Sequence, residues 1–254
     1  MIVDIHSHII PGIDDGSKSM EMTFEMIRNA EKEGTKEMVA TPHYLLEYGE
    51  ATIEEVKKYV QEINVLLENE KIDVKIYSGQ EVYFTEKIIE NYLEGNIGTI
   101  NDSRYMLIEF PMDKFDDNIF DVLYELQVRD VVPIIAHPER YKPFIEKPSL
   151  INEFLNQGYL FQVNAGSIEG KFGQNVKKTA DLFLTNNIYN FIGSDAHNIK
   201  NRNTGLKKAM DLIEKGMNSE IFQDSCGKIL KNMDIEFLGE KIKVKKSIFS
   251  FLKK

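Results

Sequence analysis

Cysteine is almost absent from this 254-residue chain: Cys226 stands alone, which excludes an internal disulfide and any four-cysteine zinc site. Long apolar runs are missing as well. No stretch approaches the roughly 18 residues needed to cross a bilayer, and no basic region at the N-terminus leads into an apolar one, so a cytoplasmic location is expected. Basic charge is in short supply. The 31 Lys and Arg face 41 Asp and Glu, and the net charge of −10 argues against broad binding to a nucleic-acid backbone, so no nucleic-acid partner is expected. A Walker-type phosphate loop does not occur. What remains is ordinary for a folded protein, 42% hydrophobic and 28% charged, without repeats, low-complexity stretches or a boundary before about residue 235. Residues 1–235 are therefore expected to form one domain and residues 236–254 a separate tail. Six of the 31 basic residues lie in the last 14 positions, which hold no acid, leaving 25 basic against 41 acidic in the rest of the chain.

Apolar β-type runs alternate with segments of helical period. Candidate strands are Ile2–Ile5, Glu37–Thr41, Val74–Ser78, Tyr105–Phe110, Val131–Ala136, Tyr159–Val163 and Tyr189–Ser194. Met20, Phe24, Ile27 and Ala30 fall on one helical face ending at Gly34. Thr52 with Glu55 three residues on is a capping-box pattern opening a helix through Ile53, Val56, Val60, Ile63 and Leu67. Shorter stripes run over Ile119–Leu126 and Leu206–Ile213. Seven strands alternating with helices imply parallel pairing through helical crossovers, hence an α/β layer or a closed α/β barrel.

Polar residues recur where the apolar runs stop. The first strand ends in His6-Ser7-His8, the second in Thr41-Pro42-His43, and Glu81 follows the third. Glu109 lies near the end of the fourth, the fifth runs into His137-Pro138-Glu139-Arg140 and the seventh into Asp195-Ala196-His197. In a parallel α/β architecture these ends share one face, where ligands and catalysis sit. All five histidines belong to this set. Burying five imidazoles with Asp15, Glu81, Glu109 and Asp195 would be costly without cations to neutralise the carboxylates and accept the nitrogen lone pairs. Nine donors with water suffice for two or three metals, and imidazole and carboxylate without thiolate suit Mn²⁺, Fe²⁺ or Zn²⁺. Clustered open-site metals lower the pKa of a bridging water and hold phosphoryl oxygens for in-line attack, so hydrolysis is the expected chemistry. Arg140 and Arg202 each follow a candidate ligand by a few residues. Either alone reads as a surface ion pair; beside a metal cluster, a guanidinium fork fits a phosphate's remaining oxygens, which favours a phosphoester over an amide or a sugar.

The ordered set Asp4-Ile5-His6-Ser7-His8-Ile9-Ile10-Pro11-Gly12-Ile13-Asp14-Asp15-Gly16, Ala40-Thr41-Pro42-His43, Gly79-Gln80-Glu81-Val82-Tyr83, Ile134-Ile135-Ala136-His137-Pro138-Glu139-Arg140-Tyr141 and Gly193-Ser194-Asp195-Ala196-His197 resembles the polymerase-and-histidinol-phosphatase (PHP) superfamily. Within it, the match is to the bacterial metal-dependent protein tyrosine phosphatases of capsule and exopolysaccharide synthesis. Asn101-Asp102-Ser103-Arg104-Tyr105 before Leu107-Ile108-Glu109-Phe110 resembles this capsular group rather than the histidinol-phosphate phosphatases. The resemblance covers roughly residues 1–205. It implies a distorted seven-stranded (β/α)7 PHP-type barrel and three divalent metal ions, usually manganese. By position, His6, His8, Glu81 and Asp195 would serve one ion, Glu81, Glu109 and His137 a second, and Asp15, His43 and His197 a third. Arg140 and Arg202 would hold the phosphate. The substrate would be phosphotyrosine on a bacterial tyrosine kinase. One departure is Tyr44 after His43, where some relatives place Arg or His.

The cysteine route to phosphotyrosine is excluded, because no arginine follows Cys226 after five intervening residues; a small apolar helix residue is expected there. A small-molecule phosphatase such as one for histidinol phosphate, a phosphodiesterase, and a non-catalytic regulator that binds a phosphorylated partner are the competing readings. The tail Lys241–Lys254 sets Ile248, Phe249, Phe251 and Leu252 among lysines, which suits peripheral contact with an anionic membrane. A direct contact with the kinase is the alternative.

Overall fold

The computed structural model describes residues 2–215, 220–237 and 239–243. Nine parallel strands run through it: β1 (Ile2–Ser7), β2 (Thr35–Ala40), β3 (His43–Tyr44), β4 (Lys75–Ser78), β5 (Glu81–Tyr83), β6 (Tyr105–Glu109), β7 (Val132–Ala136), β8 (Leu160–Asn164) and β9 (Phe191–Gly193). They form a sheet ordered β1-β2-β4 and a second ordered β3-β5-β6-β7-β8-β9. Each of the seven expected segments contains a strand. Two further strands, β3 and β5, were not expected; they resume β2 and β4 after short breaks. Pro42 has no N–H to give the ladder, and the Gln80 side chain turns away to bond the Ala51 carbonyl and the Gly98 amide. Across the break the two chains stay joined, Gly79 N donating to Ala40 O and Glu81 N to Pro42 O, both at 3.0 Å.

The sheet curls until its ends meet. Ser7 pairs with Ala196 just beyond β9, Asp195 N donates to His6 O at 2.8 Å, and Ser194 N donates to the buried Asp4 carboxylate at 2.9 Å. Period-two alternation then sorts the side chains. On β6, Met106 and Ile108 join the large core under the outer helices, while Tyr105 and Leu107 face the inner core with Ile134 and Ala136 of β7. The helix Glu220–Ile229 packs into that inner core through Cys226 and Ile229, so Cys226 is the small buried helix residue expected. The inner columns turn polar at their C-terminal ends: Glu109 follows Leu107, and Gln162 and Asn164 follow Leu160. All are buried.

The helix signals hold. Ser19 caps Met20–Lys32, and Thr52 and Glu55 form both hydrogen bonds of the capping box that starts Ile53–Asn69. Each cap contributes about 1 kcal/mol. Met26, Ile27 and Ala30 of the first helix and Val56, Val60 and Ile63 of the second cover the outer face of β2 and β4. The stripes at Ile119 and Leu206 give helices Ile119–Gln127 and Lys207–Glu214. Among the described residues no helix is long and apolar enough to cross a membrane. Residues 244–254, most of the expected tail, lie outside the described residues. Upstream of them, Ile242 is buried and bonds Asn152 through both its N–H and its carbonyl.

The seam between β9 and β1 sets a testable limit. A Cβ on Gly193 would lie 2.5 Å from the Cβ of His6 and 2.9 Å from Nε2 of Gln162, both on the inner wall. Gly193→Ala is expected to lower stability by about 1–3 kcal/mol through overpacking, read as a drop in the denaturant midpoint with an unchanged slope.

Candidate metal centre

Every strand end nominated by the sequence delivers its residue to one place at the C-terminal rim. His6 lies on the last turn of β1 and His8 just past it, where an irregularity between Asp4 and Ser7 lets both imidazoles face inward. His43 opens β3, Glu81 opens β5, and Glu109 closes β6. His137 has φ of 32° and Asp195 φ of 51°, left-handed conformations uncommon outside glycine, which swing the chain sharply off the ends of β7 and β9.

Glu81 is the centre. Its Oε2 lies 3.2 Å from Nε2 of His6, 3.2 Å from Nε2 of His8 and 3.1 Å from Nδ1 of His43, and its Oε1 lies 2.9 Å from Nε2 of His137. Glu109 flanks it, 3.5 Å from His137 and 3.8 Å from His43. Asp15 reaches Nε2 of His197 at 3.1 Å and of His43 at 3.6 Å. Donor atoms within 4.8 Å of one another fall into three groups: His6, His8, Glu81 and Asp195; His8, Asp15, His43 and His197; and His43, Glu81 and Glu109. The first coincides with one of the groups implied by the resemblance. The other two differ in detail, since His8 joins Asp15, His43 and His197, and His43 stands where His137 was expected.

A further ring of residues, absent from the sequence reading, aims these donors. Asp14 accepts from Nδ1 of His8 at 2.7 Å and also from the amides of Gly16 and His43. Oε1 of Gln162 takes Nδ1–H of His6 at 2.9 Å, and the Asp195 carbonyl takes Nδ1–H of His197 at 3.0 Å. Three imidazoles thus donate Nδ1–H outward and turn Nε2 to the centre, the arrangement that orients metal-binding histidines.

The arginines meet at Asp195. Arg140 donates to Oδ2 at 2.9 Å and Arg202 to Oδ1 at 2.5 Å, while Asn164 donates to Oδ2 at 2.6 Å. The Arg202 loop is pinned by the amides of His197 and Asn198, both donating to the Arg202 carbonyl. Nε of Arg202 is buried without a hydrogen-bond partner among the described residues. Tyr44 turns away from the rim into the core, its hydroxyl on Asn91.

The centre is electrostatically incomplete as a set of protein groups. Burial opposes charge on Glu81 and Asp195, yet His6 with His43 holds Glu81 well below the usual carboxylate range, and His6 with Arg202 does the same for Asp195. Glu109 goes the other way: burial and the charges of Glu81 and Asp195 push it up to about 9. Burial and the Arg140 cation push His137 down to about 4, and burial lowers His43 and His197. Glu81 Oε2, His43 Nδ1, His197 Nε2 and Asp15 Oδ1 are buried acceptors without a donor among the described residues. The Nε2 atoms of His6 and His8 sit 3.2 Å apart. Two imidazoles this close cannot both be charged without repelling, and an all-nitrogen-and-oxygen donor set fits divalent cations.

A curled parallel α/β sheet with an imidazole–carboxylate cage and two arginines at its rim belongs to the class of α/β proteins built around a metal centre. The chain belongs to the capsular polysaccharide synthesis CpsB/CapC family, which its residues 2–231 match. It is 37% identical to CapC of Staphylococcus aureus over 95% of this chain and 93% of that protein. It is 32% identical to the tyrosine-protein phosphatase YwqE of Bacillus subtilis (92% and 93%) and 30% identical to the tyrosine-protein phosphatase CpsB of Streptococcus pneumoniae (90% and 98%). A solved structure from work on YwqE and CpsB, described as unique metal-dependent tyrosine phosphatases, superposes with a TM-score of 0.90 at 31% identity, covering 96% of this chain and all of that one. The capsular group suggested by the motifs is the one matched.

Asp14 gives the centre a test that needs no substrate. Asp14→Ala removes the acceptor for His8 Nδ1–H and should weaken Mn²⁺ binding by about 10–100-fold in calorimetry. Asp14→Asn keeps an acceptor oxygen and should fall between.

Proposed function

We propose that this protein is a metal-dependent protein-tyrosine phosphatase that hydrolyses phosphotyrosine on a bacterial tyrosine kinase of capsular or exopolysaccharide synthesis. The observation that carries this reading is the joint placement of two arginines and an imidazole–carboxylate cage at one shared carboxylate, Asp195. The names of the family relatives support the substrate class. We read the fold as a distorted seven-stranded barrel in which β2 with β3, and β4 with β5, each count as one bent strand.

His6, His8, Asp15, His43, Glu81, Glu109, His137, Asp195 and His197 would hold the metals, three divalent ions with Mn²⁺ preferred over Fe²⁺ or Zn²⁺. When bound, such ions supply an acidified water and positive charge for the phosphoryl oxygens. The chain supplies the rest. Arg140 and Arg202 turn their remaining N–H groups toward the phosphate, and the unpartnered Nε of Arg202 is a donor in need of such an oxygen. Glu81 and Asp195, buried and ionised, keep the cage negative enough to attract cations. A tyrosine leaving group, whose phenol pKa is about 10, departs with less protonation than an alkoxide needs.

Turnover of a phosphotyrosine peptide beside histidinol phosphate, with and without Mn²⁺, tests the proposal. Metal-dependent hydrolysis of the peptide in preference to histidinol phosphate is expected; preference for histidinol phosphate, or turnover unaffected by exhaustive chelation, would refute it. Arg140→Lys keeps the charge but loses the fork. One lost transition-state contact of ~3 kcal/mol lowers kcat/KM on the order of a hundredfold, and normal kinetics would return Arg140 to a structural role.

The protein works in the cytoplasm, where the C-terminal tail brings it to the anionic face of the membrane beside its kinase. Each lysine near such a leaflet contributes roughly 1 kcal/mol. Because Ile242 is tied to Asn152, the informative truncation ends at Lys243. Full-length protein should co-sediment with anionic vesicles at low salt and the 1–243 form should not; equal, negligible binding by both would refute the membrane contact and leave contact with the kinase.

A further inference from the structure

We propose that Tyr48 is the wall on which the aromatic ring of the substrate rests, and that it makes the centre selective for aryl over alkyl phosphate monoesters; this rests on the phosphatase reading above. Tyr48 lies in the turn that follows β3. Leu45 N donates to Gly49 O at 2.7 Å and Tyr48 N to Leu45 O at 3.0 Å, with Glu47 left-handed at φ of 67°. The turn is pressed against the centre: a Cβ on Gly49 would lie 3.0 Å from the His43 carbonyl and 3.2 Å from that of Ile13, so only glycine fits without displacement.

The consequence is an unusual placement for an aromatic side chain. The Tyr48 ring stands edge-on to His43 with centroids 5.5 Å apart. The ring therefore stands against a residue of the cage, yet 52% of Tyr48 is exposed. A phenol ring whose face is wet exposes apolar area that gains from being covered. Three other aromatic residues near the rim are occupied. Tyr44 is buried with its hydroxyl on Asn91, Tyr141 is fully buried, and Phe172 lies under the Arg140 guanidinium at 4.8 Å and against Gly166. A phosphate held by Arg140 and Arg202 extends its ester group away from Asp195, and beside the cage Tyr48 offers a flat apolar surface to receive a ring. Stacked or edge-on pairs of this kind are favoured beyond the area they bury. An alkyl ester has no matching face.

The test uses metal-loaded full-length protein with phenylphosphonate and methylphosphonate as probes that need no turnover. In calorimetry, Tyr48→Ala should lower the ratio of phenylphosphonate to methylphosphonate affinity about tenfold, whereas Tyr48→Phe, which keeps the ring and loses the hydroxyl, should retain it. With a phosphotyrosine peptide the Tyr48→Ala loss should appear in KM more than in kcat. A ratio unmoved by Tyr48→Ala overturns the proposal. So does a ratio lost equally in Tyr48→Phe, which would assign the effect to the hydroxyl rather than the ring. A Tyr48-dependent ratio in a protein without phosphotyrosine turnover would count against the phosphatase reading while supporting the wall; normal turnover with an unmoved ratio would remove the wall alone.

Discussion

A carboxylate with almost no access to water, Glu81, sits within 3.2 Å of nitrogens from four histidines that arrive from three different strand ends. Most of the architecture can be understood as the means of keeping that arrangement in place. An isolated buried carboxylate would protonate, and five clustered imidazoles would repel if charged and leave lone pairs unmet if neutral. Parallel strands solve the geometric half of the problem, because their C-terminal ends fall on one rim however far apart the residues are in sequence. The electrostatic half is not met by the protein groups themselves, whose donor set suits cations, and Glu109 shows the strain most directly: burial with the charges of Glu81 and Asp195 pushes a third carboxylate up to about 9.

Much of this was legible from the residues because two signals coincided. Apolar strands are read by composition, and the polar residues that end them are read by contrast. His137 and Asp195 stand out as abrupt polar stops after Ile134-Ile135-Ala136 and Ile192-Gly193-Ser194. β3 and β5 were hidden because Pro42 and Gly79 read as strand terminators; they do interrupt the ladder, but the pairing resumes one or two residues later. Asp14 escaped for another reason. Asp14-Asp15 presents two adjacent carboxylates, and only the turn through Gly16 decides that one braces His8 while the other faces His43 and His197. Gln162 and Asn164 did leave a trace. They alternate with Phe161 and Val163 in a strand covered on both sides, where polar residues need a buried partner. Tyr48 had no periodic signal, since its position is set by a tight turn rather than by a face.

The shells around the cage divide the work by distance. Imidazoles and carboxylates at the centre supply lone pairs, and their orientation is delegated to Asp14, Gln162 and the Asp195 carbonyl, each holding an Nδ1–H so that Nε2 points inward. Outside these, Glu139 takes the Asn164 amide and the Tyr189 hydroxyl, fixing the turn that carries Arg140. Burial holds the Glu139 carboxyl above its ordinary range despite those donors, so it stabilises the turn through hydrogen bonds more than through charge.

Asp195 joins the two halves of the site. One oxygen faces His6, His8 and Arg202, and the other takes Arg140 and Asn164. Its own position is fixed by the seam, where its amide bonds the His6 carbonyl. Arginine side chains carry about 2 kcal/mol of rotamer entropy. Here much of that freedom is lost on folding, because both guanidinium groups are already seated on one carboxylate. Under the proposed function an incoming phosphate would meet donors already held in place, and the same residue that anchors those donors also lies among the atoms of the cage. Displacing Asp195 would disturb the cage and both guanidinium groups together, so the seam between the first and last strands, which fixes Asp195, governs the geometry of both.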